Sequence, residues 1–128
     1  MKIIGDLFQI GDFISDNSGA EGTGIHCSAT LLPVMESVVF AAHFPGHPIV
    51  PGACIVAAVG ELASRALNQQ CQVSFVKNVK FISLIEPEAN IPVRFDLDID
   101  LESKKVKAIV QYRGAVCCKL SLTLSNDY

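Results

Sequence analysis

The chain has 128 residues, of which half are apolar, and a formal net charge of −3. This length and composition favour a single domain, residues 1–128, with one packed core. They argue against a nucleic-acid-binding protein, because Lys and Arg form no cluster, and against a membrane protein, because no apolar run is long enough to cross a bilayer.

The first third of the chain contains few clear signals of secondary structure. Residues 1–6 lack the apolar stretch of a secretory signal, so we expect a cytoplasmic protein. Residues 15–24 are rich in turn-forming residues and are predicted to form a surface loop. Residues 25–32 favour a strand, whereas residues 34–42 are short and apolar and favour either a strand or a helix.

Residues 43–52, His-Phe-Pro-Gly-His-Pro-Ile-Val-Pro-Gly, are the most distinctive segment. Each proline fixes its own φ and restricts the residue before it, and each glycine permits a turn or the close approach of another group. The segment is therefore a stiff loop. A histidine on such a loop, beside the start of a buried helix, is suited to proton transfer.

Residues 53–68 are predicted to form a buried helix, because they contain no proline and are apolar nearly all round as far as Glu61. Gly60 lies in the middle of this helix, where glycine costs about 1 kcal/mol relative to alanine. We therefore expect another stretch of backbone to pack closely against Gly60.

Four strands are predicted after the helix, at residues 72–84, 91–101, 105–112 and 115–124. The second of these alternates strictly, which is typical of an antiparallel strand with one face in water. Its apolar face carries Ile91, Val93, Phe95, Leu97, Ile99 and Leu101. One long helix packed against an antiparallel sheet is an α+β layer architecture.

Neither the cysteines nor the histidines are spaced as a metal site, so we expect no bound metal. The five cysteines form no CxxC pair and are predicted to be reduced, small apolar residues: Cys27, Cys54, Cys71, Cys117 and Cys118. His43 and His47 are four residues apart, but prolines interrupt any helix that would align them. Structural roles are predicted for His26 and His47. A solvated strand face, rather than a calcium site, is predicted for Asp96, Asp98 and Asp100.

The loop of residues 43–52 resembles the signature of the (3R)-hydroxyacyl-ACP dehydratases of fatty-acid synthesis. The resemblance continues through residues 76–81 and the two terminal strands, and it covers roughly residues 40–124. Members of this family have the hot-dog fold, in which an antiparallel sheet wraps a long central helix. The resemblance thus implies the same α+β arrangement that the pattern of elements predicts.

The resemblance also implies a site at the interface of a dimer whose two sheets join edge to edge, with no cofactor. In members of the family, the histidine at the position of His43 abstracts the C2 proton of a 3-hydroxyacyl thioester. The backbone N–H at the position of Gly52 binds the thioester carbonyl. A helix N-terminus suits this role, because its free N–H groups and positive dipole end stabilise the developing enolate. The remaining residues expected to contact substrate are Phe44, Pro51, Val56, Ala57 and Val59.

The chain departs from the family at the acid that protonates the leaving hydroxyl. The family places a carboxylate from the other subunit fourteen residues after the histidine, and here that position is Ala57. Glu61 lies one turn further along the helix, about 6 Å along its axis. Glu61 is therefore the candidate proton donor beside the base His43, acting through a water, with a structural hydrogen bond as its alternative role.

Three functions are consistent with these residues. The preferred one is a dehydratase, or dehydratase-isomerase, acting on acyl chains carried on acyl carrier protein or coenzyme A, as a homodimer, a higher oligomer or a heterodimer with a related dehydratase. The second is a non-catalytic hot-dog subunit that pairs with an active dehydratase or binds acyl chains, which Ala57 favours. The third is a thioesterase of the same fold, which the histidine loop disfavours because such enzymes generally use a carboxylate to direct water.

Overall fold

In the computed structural model, which describes residues 2–18, 23–42 and 46–126, a six-stranded antiparallel sheet packs around one long helix. The strands lie in the order β1-β2-β4-β5-β6-β3, so that β1 and β3 form the two edges. The elements in chain order are α1 Ile3–Asp6, β1 Phe8–Ser18, β2 Gly24–Pro33, α2 Val38–Ala42, α3 Gly52–Leu67, β3 Cys71–Phe81, β4 Val93–Asp100, β5 Lys105–Tyr112 and β6 Ala115–Asn126.

The central helix α3 confirms the prediction for residues 53–68 to within one residue at each end. Pro51 precedes it in an extended conformation, and Asn68 ends it in the left-handed conformation. The buried face of the helix packs on the sheet through Ile55, Ala58, Val59, Gly60, Leu62 and Ala63.

Gly60 is crowded, but by a side chain and not by the backbone that the sequence led us to expect. A Cβ atom on residue 60 would lie 2.8 Å from Cγ2 of Val73 in β3. The glycine therefore lets the first half of β3 lie close against the helix.

The predicted strands after the helix are confirmed, with small shifts at their ends. β4 buries Val93, Phe95, Leu97 and Ile99 on its inner face, as its alternation requires. β5 has the predicted bounds, β6 runs two residues further than predicted, and β3 ends at Phe81, three residues before the predicted end.

The first third of the chain differs most from the sequence prediction. Residues 15–18 belong to β1 and pair with residues 24–27, so these positions of the predicted loop form strand. Residues 19–22 of that prediction lie outside the described residues. The strand β1 was not predicted, because a register shift between Ile10 and Asp12 interrupts its alternation. Residues 34–42 contain the short helix α2 and no strand.

Candidate active site

The described part of the histidine loop, residues 46–51, is held by the irregular segment 82–92 that follows β3. The Val50 N–H donates a hydrogen bond to the Ile85 carbonyl at 2.9 Å, and Nε2 of His47 lies 3.6 Å from a carboxylate oxygen of Glu86. Gly46 has a φ of +80°, which permits the turn. His43 and Phe44 lie outside the described residues, so their roles stay predictions.

The helix start at Gly52 presents backbone donors. The Pro51 carbonyl accepts the N–H groups of Cys54 and Ile55 at 3.0 and 3.2 Å, and Pro51 has no side-chain oxygen with which to cap the helix. Among the residues that the structure describes, none provides a hydrogen-bond acceptor for the N–H groups of Gly52 and Ala53. These two donors lie at the positive end of the helix dipole, where negative charge is stabilised. This geometry is compatible with the role predicted for Gly52, which stays a prediction.

An aromatic ring that sequence reasoning did not single out lies over this helix start. A Cβ atom on residue 52 would lie 2.6 Å from Cζ of Phe81 and 3.1 Å from both of its Cε atoms. Phe81 ends β3, and its side chain remains 53% exposed. The only sequence signal for Phe81 was that it is the last of residues 76–81, a segment that takes part in the family resemblance.

The predicted substrate contacts on α3 fall into two groups. Val56 and Ala57 are partly exposed and pack at the margin of the core, whereas Val59 is fully buried within it. An acyl chain would meet Val56 and Ala57 on the surface of the helix as it stands. It would meet Val59 only if the surrounding core moved.

Glu61 uses both of its carboxylate oxygens to hold the N-terminal segment. Oε2 accepts the Ile3 N–H at 2.8 Å, and Oε1 accepts the Ile4 N–H at 2.9 Å. Nine residues of helix place Glu61 about 13 Å along the axis from Gly52. Within one chain, the structure therefore does not bring Glu61 to the donors at Gly52, and this geometry favours the structural alternative.

His26 lies away from this region, on the outer face of the sheet. Its Nδ1 is 2.9 Å from Oδ1 of Asp98, and its Nε2 is 3.9 Å from Oδ1 of Asp96. Burial acts to raise the pKa of Asp96, but hydrogen bonds from Arg94 and Ser28 outweigh it and hold that pKa below its usual range. Both aspartates that flank His26 thus have protein partners, and the described residues contain no group of three side chains able to hold a metal ion.

Comparisons with known proteins give a consistent family. The sequence matches the ApeI-like family, described as ApeI dehydratase, over residues 21–121. The curated 3-hydroxyacyl-(acyl-carrier-protein) dehydratase FabZ of Latilactobacillus sakei subsp. sakei (strain 23K) is 31% identical over 97 residues, which is 70% of this chain and 69% of that protein.

Solved structures show the same fold. An uncharacterized protein from Erwinia carotovora subsp. atroseptica has a TM-score of 0.80 at 17% identity, covering 94% of this chain and 97% of that chain. A chain of the dehydratase heterocomplex ApeI:P from Xenorhabdus doucetiae has a TM-score of 0.66 at 17% identity, covering 88% of this chain and 95% of that chain. The architecture is therefore the α+β hot-dog fold. In the part of the chain that the structure describes, no helix has the length and apolar character needed to cross a membrane.

Proposed function

The chain belongs to the ApeI-like dehydratase family, and on that premise we propose that it dehydrates 3-hydroxyacyl thioesters in fatty-acid or related lipid biosynthesis, in the cytoplasm. The acyl chain is carried on acyl carrier protein or on coenzyme A. The observation that carries this proposal is the pair of N–H groups at Gly52 and Ala53, which have no acceptor among the described residues and directly follow the loop that contains His43. No cofactor takes part.

In the proposed reaction, His43 accepts the C2 proton. The electrons of the C2–H bond form an enolate, and its oxygen accepts a hydrogen bond from the Gly52 N–H at the positive end of the helix. The C3–O bond then breaks as the hydroxyl takes up a proton and leaves as water, which gives the 2-enoyl thioester. A positioned acid at this last step contributes on the order of 10² to 10⁴ in rate.

The source of the last proton is the open part of this mechanism. Ala57, at the position that the family resemblance assigns to the acid, has no proton to give, and both oxygens of Glu61 already accept backbone N–H groups. We infer that the donor comes from outside this helix, either as water or as a carboxylate of a partner chain.

The edge of the sheet formed by β3 is a candidate binding surface for a partner chain. β3 is an edge strand of 11 residues, and it exposes the apolar side chains of Phe75 and Val76. We propose that β3 pairs with the same strand of a second chain, which covers these side chains. The second chain is either an identical copy or a related dehydratase that retains its acid. The solved ApeI:P heterocomplex, to which this chain is similar in fold, supports the second arrangement.

A non-catalytic subunit is the second candidate function, and it is favoured by Ala57 and Glu61. If no partner supplies an acid, Ala57 and the engaged Glu61 leave the site without a positioned donor. Such a chain would bind acyl thioesters, or contribute His43 to the site of a partner, without turnover of its own.

The test is an assay of the purified chain with a 3-hydroxyacyl thioester on coenzyme A and on acyl carrier protein, following the absorbance of the enoyl product. We expect slow turnover that His43→Ala abolishes and that Ala57→Glu raises by 10-fold or more. Turnover unchanged in His43→Ala would overturn the proposed base. No turnover in the parent, recovered in Ala57→Glu, would establish the non-catalytic alternative.

A further inference from the structure

The Phe81 ring packs against Gly52, and the lack of a side chain at Gly52 leaves room for the ring. Gly52 is the first residue of α3, and alanine is in general the better helix former. Its φ is not in the left-handed region, so backbone conformation does not require glycine there. The three nearest atoms that an added Cβ would meet all belong to the Phe81 ring. The glycine is therefore needed for the placement of this ring.

The backbone at Phe81 and the two residues after it is held by hydrogen bonds to β6. The N–H groups of Ile82 and Ser83 donate to the Cys117 carbonyl at 2.7 and 3.2 Å, and Phe81 itself pairs with Cys118. Held in this way, the ring covers the Cα of Gly52 while 53% of the side chain remains exposed. An aromatic surface thus stands open to a ligand beside the N–H group at the helix start.

We infer that the Phe81 ring is a positioning residue that stacks on the planar, conjugated part of a 2-enoyl thioester while the Gly52 N–H binds its carbonyl oxygen. This inference rests on the proposed function. Offset stacking between flat π systems adds about 0.5–1.5 kcal/mol to the burial of their area. A saturated thioester of equal length has the same carbonyl but no conjugated plane, so the ring discriminates between the two ligands.

The experiment compares the affinities of trans-2-octenoyl-CoA and octanoyl-CoA by titration calorimetry, which needs no turnover. We expect the parent to bind the enoyl thioester roughly 2- to 13-fold more tightly, which is the stacking energy expressed as an affinity ratio. Phe81→Ala and Phe81→Leu should both lose this preference, although leucine keeps an apolar side chain. Ile14→Ala, at a 66% exposed position on the opposite edge strand, is the matched control and should keep the preference.

Gly52→Ala tests the pair without removing the ring. The new methyl group would displace the ring, which lies at the end of a side chain with two rotatable bonds, so the variant should fold. It should lose the enoyl preference although its N–H remains. Each of the two substitutions removes the same contact. The double variant should therefore lose no more of the preference for the enoyl thioester than Phe81→Ala alone.

The outcomes separate this inference from the proposed function. If the parent prefers the enoyl thioester and Phe81→Ala keeps that preference, or if the two substitutions have additive effects, the role of Phe81 is overturned and the proposed function stands. If the parent binds neither thioester and turns over no 3-hydroxyacyl substrate, both fail together.

Discussion

Glu61 is a residue for which the structure favours one of the two roles that the sequence left open. The sequence made it a candidate proton donor, but its two oxygens accept the N–H groups of Ile3 and Ile4. These bonds fix a segment in which Ile3 and Leu7 enter the core. At this scale Glu61 anchors the N-terminal segment to α3.

We predict that Glu61→Gln destabilises the protein by about 1–3 kcal/mol, because an amide oxygen accepts one of the two N–H groups and its NH2 group faces the other. Urea denaturation measures this loss as a lower midpoint. Asp6→Asn, which alters an exposed acceptor of the Lys2 N–H, is the control and should change stability by less. A Glu61→Gln variant of normal stability but without turnover would instead support the proton-donor role.

Cys27 should make stability depend on pH in the alkaline range. Burial, and then the negative charge of Asp96, raise the pKa of this thiol from 9.0 to about 11. Between these two values the folded protein keeps a proton that the unfolded chain loses, so this contribution is complete below pH 9 and is lost as the pH rises through about 11. Cys27→Ala should flatten the fall in unfolding free energy between pH 9 and 11, relative to Cys71→Ala. A fall of equal steepness in both variants would contradict the assignment.

At the scale of elements, the contact between α3 and β3 depends on the small residue at position 60. Gly60→Ala would improve helix propensity, but the added Cβ would come within 2.8 Å of a Val73 methyl group. Overpacking of this kind typically costs about 1–3 kcal/mol, so we predict net destabilisation. Adding Val73→Ala should recover part of the loss in thermal denaturation. Independent, additive effects would mean that the two residues do not crowd each other.

The two edges of the sheet differ in what they offer to a partner. Both edge strands carry register shifts, between Ile10 and Asp12 in β1 and at two points of β3. β3 differs in that it follows α3 in the chain and ends at the ring over Gly52. We predict that Val76→Lys on β3 converts a dimer into a monomer, because each pairing would bring two buried charges together. Light scattering after gel filtration measures this change. Ile14→Lys on β1 is the control, and dissociation by that substitution would place the interface on the other edge.

At the scale of the whole molecule, we propose that the site is divided between two chains. His43 and the donors at Gly52 belong to this chain, and a partner supplies the acid that Ala57 lacks. We predict that mixing this protein with a related dehydratase whose own base histidine is replaced raises turnover well above the slow rate of this chain alone. His43→Ala in this chain should abolish the added activity. Equal activity with and without His43 would show that the two chains do not share a site.

Much of the candidate site could be predicted from residues 43–61, because a loop and the helix that follows it are local features. Pro51 and Gly52 lie at the helix start as expected, and Ala57 lies on a partly exposed helix surface. The contribution of Phe81 could not be predicted from spacing. It lies 29 positions after Gly52 in the sequence, and only the path of β3 brings the two together.

The sequence by itself determined α3 and the strands β4 to β6, because each depends on a periodicity that its own residues carry. It also determined the hot-dog family, through the ten residues of the histidine loop. The tertiary structure alone decided that β1 forms an edge, that Glu61 holds backbone groups 57 and 58 residues away, and that the Phe81 ring covers Gly52. The physical reason is the range of the interactions: periodicity acts within one element, whereas the partners of a carboxylate or a ring are set by how distant elements pack.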